Sequence, residues 1–118
     1  MTVPSLQGRI FRAVGDTTRG EVTTATVFQY NEDDDCVWAV YAGGPVVRGF
    51  LVGRRTGDRL EARFVQLVSS GETASGYCVT RVEELGDGRL ALEETWKWES
   101  RDGVGHGRLE EILVPPMP

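Results

Sequence analysis

The chain has 118 residues and a net charge of −5, from 13 basic and 18 acidic side chains. This length suits one domain, which we place over residues 1–118, with a core from about 8 to 114 and a proline-rich tail at 115–118. A negative surface repels phosphate backbones and anionic lipid headgroups, so neither a nucleic acid nor a membrane is an expected partner.

Eight segments are rich in β-forming residues and bounded by turn residues, as β-strands are. In chain order they span residues 8–14, 21–30, 36–42, 46–53, 59–68, 74–85, 89–99 and 107–114. Residues 31–35 form an acidic turn after the second strand, and Asp87-Gly88 gives the strongest hairpin signal. Short links and the lack of a helical period predict an all-β fold. We expect an eight-stranded antiparallel up-and-down barrel or half-barrel, similar to lipocalins and avidins.

Side chains alternate between the two faces of a strand, so each strand offers two candidate inward faces. The seventh strand decides most clearly, because one of its faces carries Leu90, Leu92, Glu94, Trp96 and Trp98. The inward faces predicted for the second and third strands are Phe28 with Tyr30 and Trp38 with Val40. For the fourth strand we predict Val46 with Arg48, Phe50 and Val52, and the opposite face, with Val47, Gly49, Leu51 and Gly53, is the alternative. Those predicted for the fifth and sixth strands are the even-numbered residues from Leu60 to Val68 and from Ala74 to Val82.

Two charges, Arg48 and Glu94, would then lie inside one barrel. A charge buried alone costs several kcal/mol, so both should be paired, hydrated or bound to a ligand. An aromatic interior with a few polar groups is typical of a small-molecule site. The residues expected to form this site are Tyr30, Trp38, Arg48, Gln66, Glu94 and Trp96. Arg48 would anchor a carboxylate-bearing ligand; a purely structural ion pair, or an arginine at the barrel mouth, is the alternative.

The remaining reactive residues give weaker signals. His106 lies in a glycine-rich segment and is expected in a surface turn, and no metal site or cofactor is predicted. The N-terminal sequence has no signal-peptide pattern, so we expect a cytoplasmic protein in which Cys36 and Cys78 are reduced thiols. The roles of these three residues stay open.

Several strings carry a resemblance to a known family. They are TVFQY at 26–30, VWAVYAGG at 37–44, GYC at 76–78, DGRL at 87–90 and ETWKW at 94–98. In this order, from about Gly8 to Ile112, the chain resembles a family of small bacterial all-β proteins of about this length. Some members carry the label N-acetylglutamate synthase. An acetyltransferase of that class alternates helices with strands and binds the acetyl-CoA pyrophosphate at a helix N-terminus. This chain has neither feature, so that activity is not expected.

Three functions are compatible with such a barrel. The favoured one is a non-catalytic barrel that binds a small molecule in its aromatic interior, beside an Arg/Glu polar cluster. The second is an isomerase- or cyclase-type enzyme in which Glu94 acts as a general base or Cys78 as a nucleophile; no catalytic residue can be assigned. The third is a packed interaction module, marked by an exposed apolar patch or a homodimer and by the lack of a ligand-sized void.

Overall fold

The structure, a computed structural model, describes residues 4–15 and 21–113. These residues form a closed barrel of eight antiparallel strands in which each strand pairs with the next and β8 pairs with β1. The strands are β1 (Ile10–Ala13), β2 (Val27–Asp33), β3 (Cys36–Gly43), β4 (Val46–Thr56), β5 (Arg59–Val68), β6 (Thr73–Glu84), β7 (Leu90–Trp98) and β8 (Val104–Glu111). The predicted all-β antiparallel barrel is confirmed, and it is fully closed. In the described part of the chain, no helix is long and apolar enough to cross a membrane.

The second and eighth strands differ from the prediction. β2 begins at Val27 and continues to Asp33, so the acidic turn consists of Asp34 and Asp35 alone. Asp34 has a φ of 57°, the left-handed conformation that a tight two-residue hairpin turn requires. β8 begins at Val104, before the predicted start, because the ladder with β7 extends through the glycine-rich segment. The end of the predicted eighth strand, residue 114, and the tail at 115–118 lie outside the described residues.

Four strands have the inward faces that the sequence predicts. On β2, β5, β6 and β7 the predicted residues point into the barrel, and most are buried. Aromatic rings fill much of the interior. Phe28 stacks on Tyr41 with the ring centroids 4.5 Å apart, and Phe11 meets Tyr30 edge-on at 5.3 Å. Such pairs add roughly 0.5–1.5 kcal/mol beyond their burial.

The inward face predicted for β3 is wrong. Val37, Ala39 and Tyr41 are buried, whereas Trp38 and Val40 are each 38% exposed on the outer surface. Both faces of this strand are apolar, so hydrophobicity alone does not determine which one faces the core.

The inward face predicted for β4 is wrong beyond its first residue. A β-bulge shifts the pairing with β5 between Val46 and Arg48. The extra residue reverses the alternation, so Val46 points inward as predicted but Gly49 and Leu51 occupy the inner face after it. The side chains displaced to the outside are Arg48, Phe50 and Val52. A Cβ atom on Gly49 would lie 2.2 Å from the Tyr41 ring, so glycine leaves the space that this ring fills.

One end of the barrel is sealed. Leu6 is completely buried, and its amide donates to Oε1 of Glu32 at 2.9 Å. The same oxygen accepts a hydrogen bond of 2.7 Å from Arg55, which is only 7% exposed. Arg9 and Glu111 form a second ion pair of 2.7 Å close by. For the described residues, a route into the interior is therefore expected at the opposite end.

Candidate functional site

A cavity of about 50 Å³ opens at that opposite end, beside the segment that connects β1 to β2. This volume accommodates about four water molecules or one small organic group. Its aromatic walls are Phe28, Tyr41, Phe64, Trp96 and Trp98, and its polar side chains include Glu21, Gln66, Cys78 and Glu94. An apolar hollow with few polar groups is typical of a small-molecule site.

Glu94 is the carboxyl group on the inner wall of the barrel that faces the cavity from β7. It projects from the inner face of β7 between Leu92 and Trp96, and the hydroxyl of Thr80 donates to its Oε2 at 3.3 Å. Burial raises the pKa of Glu94 to about 7, and the hydrogen bond from Thr80 only partly opposes this rise. Near neutral pH this group therefore exists in both forms, so it can accept a hydrogen bond or donate one.

The titratable groups that face Glu94 stay uncharged. The pKa values of Tyr30 on β2, Tyr41 on β3 and Cys78 on β6 are all raised. Burial is the larger cause, and the negative charge of Glu94 is the second. Because only the thiolate is a nucleophile, Cys78 is held in its unreactive form. Glu94 is thus the group of this set that changes charge near neutral pH.

A chain of hydrogen bonds runs from the interior to the mouth. The hydroxyl of Tyr41 donates to Oε1 of Gln66 at 2.9 Å, and Nε2 of Gln66 donates to Oε1 of Glu21 at 3.0 Å. Arg101 also donates to that oxygen at 3.0 Å, and its guanidinium lies 4.0 Å from the centre of the Trp98 ring. Arg101 therefore balances the charge of Glu21 at the mouth.

Trp96 supplies an unused hydrogen-bond donor. Its Nε1 is buried and has no hydrogen-bond partner among the described residues. An indole N–H can only donate, and buried polar groups in native proteins are nearly always satisfied. Trp96 lines the cavity, and an oxygen of a bound molecule that reaches this N–H would satisfy it.

A family model of avidin-like proteins matches residues 4–112. The chain belongs to the avidin-like family. Barrels of this family typically bind small ligands. No curated protein and no solved structure matches the chain. The resemblance of the fold to avidin-like barrels, expected from the sequence, is confirmed. The bacterial origin and the synthase label remain untested.

This avidin-like barrel brings together only some of the predicted site residues. Gln66, Glu94 and Trp96 line the cavity. Tyr30 also points inward, and it is fully buried in the core against Phe11 and Phe28. The other two are on the outer surface, as described for β3 and β4: Trp38 and Arg48. The prediction that both point into the interior is wrong, and the Arg/Glu cluster does not form there.

Sequence reasoning missed several residues of the avidin-like cavity. Phe64 and Trp98 were on correctly predicted inward faces, and that signal could have placed them in the site. Tyr41 was hidden by the wrong choice of face on β3. Glu21 was expected in a strand, but it lies before β2 in the segment beside the mouth.

Of the other reactive residues, His106 and Cys36 lie outside the cavity, whereas Cys78 is on its wall. His106 is exposed on β8, opposite Thr95 of β7, rather than in a turn. Cys36 is exposed and Cys78 is buried, and both are free thiols. Within residues 4–15 and 21–113, no group of three or more His, Cys, Asp or Glu residues could hold a metal ion. A cytoplasmic location stays a prediction.

Proposed function

We propose that this avidin-like barrel reversibly binds one small molecule in the cavity at its open end. The observation that carries this proposal is a buried, ionisable carboxyl group, Glu94, that faces an aromatic-lined hollow. The rings would contact the apolar part of the ligand, and Glu94 and the indole N–H of Trp96 would bind its polar part. This division is the usual one in small-molecule sites.

The structure removes the reason for expecting a carboxylate-bearing ligand. That expectation relied on Arg48 as an anchor inside the barrel, and Arg48 is exposed on the outer face of β4. Arg108 does not replace it, because its guanidinium is bound to Glu83, Glu93 and Glu110.

Native mass spectrometry of freshly purified protein, followed by NMR titration of the molecule identified, tests the proposal. Trp96→Phe removes the unused donor, and we expect it to weaken binding about 3- to 10-fold, the contribution of one neutral hydrogen bond. Trp38→Phe is the matched control on the outer surface and should leave the affinity unchanged. Equal affinities in the two variants would contradict the assignment of Trp96, and a cavity that binds nothing would overturn the function.

Acid–base catalysis is the second candidate, and Glu94 is the observation that favours it. A general acid or base is most effective when its pKa lies near the working pH, and that of Glu94 is about 7. Turnover of the bound molecule that disappears in Glu94→Gln while binding persists would establish an enzyme. Binding without turnover would leave the non-catalytic barrel.

We also propose that two copies associate through the outer face of β3, β4 and β5. Its apolar side chains, each between 38% and 58% exposed, are Trp38, Val40, Phe50, Val52, Val65 and Leu67. They are neighbours across the ladders, since Val40 pairs with Phe50 and Phe50 with Val65. Together they present roughly 500 Å² of apolar surface, near the upper end for a monomer. A stable interface buries roughly 800 Å² per partner, so this apolar face would supply more than half of one.

The charges around this face are compatible with its association with the same face of a second copy. Arg63 pairs with Glu99 at 3.2 Å and Arg54 with Asp35 at 3.5 Å, so the rim carries both signs and identical faces do not repel.

Sedimentation velocity tests the dimer. Phe50→Glu should dissociate it, whereas Val104→Glu, at a 55% exposed position on β8, should not. A monomeric wild-type protein at high micromolar concentration would refute this proposal.

A further inference from the structure

Among the residues that the structure describes, the charges of the cavity do not balance. At the mouth, Glu21 is paired with Arg101 at 3.0 Å. Deeper in the barrel, Glu94 has only the neutral hydroxyl of Thr80 as a hydrogen-bond partner in the residues the structure describes. Lys97, its near neighbour along β7, points outward and is exposed. Within residues 4–15 and 21–113, a carboxylate in these surroundings lacks a counter-ion.

The cavity walls favour a positive charge. The face of an aromatic ring carries partial negative charge and attracts cations, most strongly when water is excluded. Phe28, Tyr41, Phe64 and Trp96 line the hollow in which Glu94 lies, while the ring of Trp98 already has the Arg101 guanidinium 4.0 Å from its centre. An aromatic lining combined with an unbalanced carboxylate suits an organic ammonium ion, whose alkyl groups also fit apolar walls.

The unused N–H of Trp96 adds a second requirement. An indole donor cannot bind an ammonium group, so it needs an acceptor oxygen on the same ligand. A hydroxyl or carbonyl oxygen on the ligand would satisfy this donor.

We propose that the ligand of this cavity is a small organic ammonium ion with one nearby acceptor oxygen, held by the aromatic rings with Glu94 as its counter-ion. This inference rests on the proposed binding function and specifies its ligand class. It differs from the carboxylate expected from the sequence, because the charged group that faces the ligand is an acid and not an arginine.

The pH dependence of binding follows from the groups that face Glu94. Tyr30, Tyr41 and Cys78 stay neutral near pH 7, because burial raises their pKa values. Glu94 ionises near pH 7. Affinity for a cation should therefore reach a plateau above about pH 8 and fall up to tenfold per pH unit below pH 7, since the proton and the cation compete for one carboxylate. A neutral ligand should show no such profile.

The experiment compares choline with 3,3-dimethyl-1-butanol, in which a carbon atom replaces the charged nitrogen. Both are titrated into the full chain between pH 6 and 8.5 and followed by NMR. At pH 8 we expect choline to bind at least tenfold more tightly. Glu94→Gln should weaken choline binding roughly 10- to 100-fold, as expected for loss of a charged partner, and should leave the alcohol unaffected. Glu72→Gln, which removes an exposed carboxylate, should change neither.

The remaining outcomes contradict either this inference or the proposed function. If the wild-type protein binds the alcohol as tightly as choline, the ligand is neutral and this inference fails, although the binding function stands. The inference also fails if neither compound binds while native mass spectrometry detects in the cavity a ligand without an ammonium group. If neither binds and no ligand of any kind is found, the proposed function fails as well. The wild-type comparison is valid even if Glu94→Gln does not fold.

Discussion

Replacement of Glu94 by glutamine should make the protein more stable at alkaline pH. In the unfolded chain this carboxyl group ionises near pH 4.5, whereas in the barrel its pKa is about 7. Between these values unfolding releases a proton, so the free energy of unfolding falls as pH rises. At 1.36 kcal/mol per pH unit, the penalty is complete above pH 7 and reaches about 3 kcal/mol at pH 8. Glutamine carries no such penalty and can still accept the Thr80 hydrogen bond.

Urea denaturation followed by tryptophan fluorescence, at intervals from pH 4 to 8, measures this effect. The difference between the Glu94→Gln variant and the wild type should grow by about 3 kcal/mol in favour of the variant from pH 4 to pH 8. Glu72→Gln, the exposed control, should follow the wild-type profile. Parallel profiles for all three proteins would show that water reaches Glu94 freely, which would refute the argument from burial.

Two further substitutions test the packing and the sealed end. Gly49→Ala should lower the free energy of unfolding by about 1–3 kcal/mol, because its Cβ would overlap the Tyr41 ring, while Gly86→Ala, with no atom within 4 Å, should have little effect in the same urea assay. Arg55→Met leaves the carboxylate of Glu32 without its buried partner and should cost about 3–5 kcal/mol; a loss below 1 kcal/mol in thermal or urea unfolding would contradict the importance of this pair.

The sequence was sufficient to predict the inward face of a strand where one face was clearly more apolar than the other. On β7 the positions of Leu90, Leu92, Trp96 and Trp98 determined the inward face, and Glu94 was located in the interior on that basis. On β3 the same reasoning failed, because Trp38 and Val40 are as apolar as the residues that are in fact buried.

The rest of the site could not be predicted from the sequence, because its position depends on features that no local sequence pattern encodes. The bulge in β4 arises from how this strand pairs with β5, and two adjacent valines, Val46 and Val47, give no sign of which one begins it. The position of Glu21 depends on the path of a connecting segment and on its contacts with Gln66 and Arg101. Those contacts join residues that are distant in sequence, so only the folded chain brings them together.

The closure of the barrel depends on its shortest strand. β1 has four residues, whereas the strands opposite it have ten or more, yet it joins β2 to β8 and completes the ring. Loss of β1, for example by proteolysis of the N-terminal segment, would leave unpaired backbone groups along β2 and β8. Such strands readily pair with those of other molecules and initiate fibrous aggregation. In the closed barrel the four residues of β1 therefore cover the edges of β2 and β8, a role separate from any part in ligand binding.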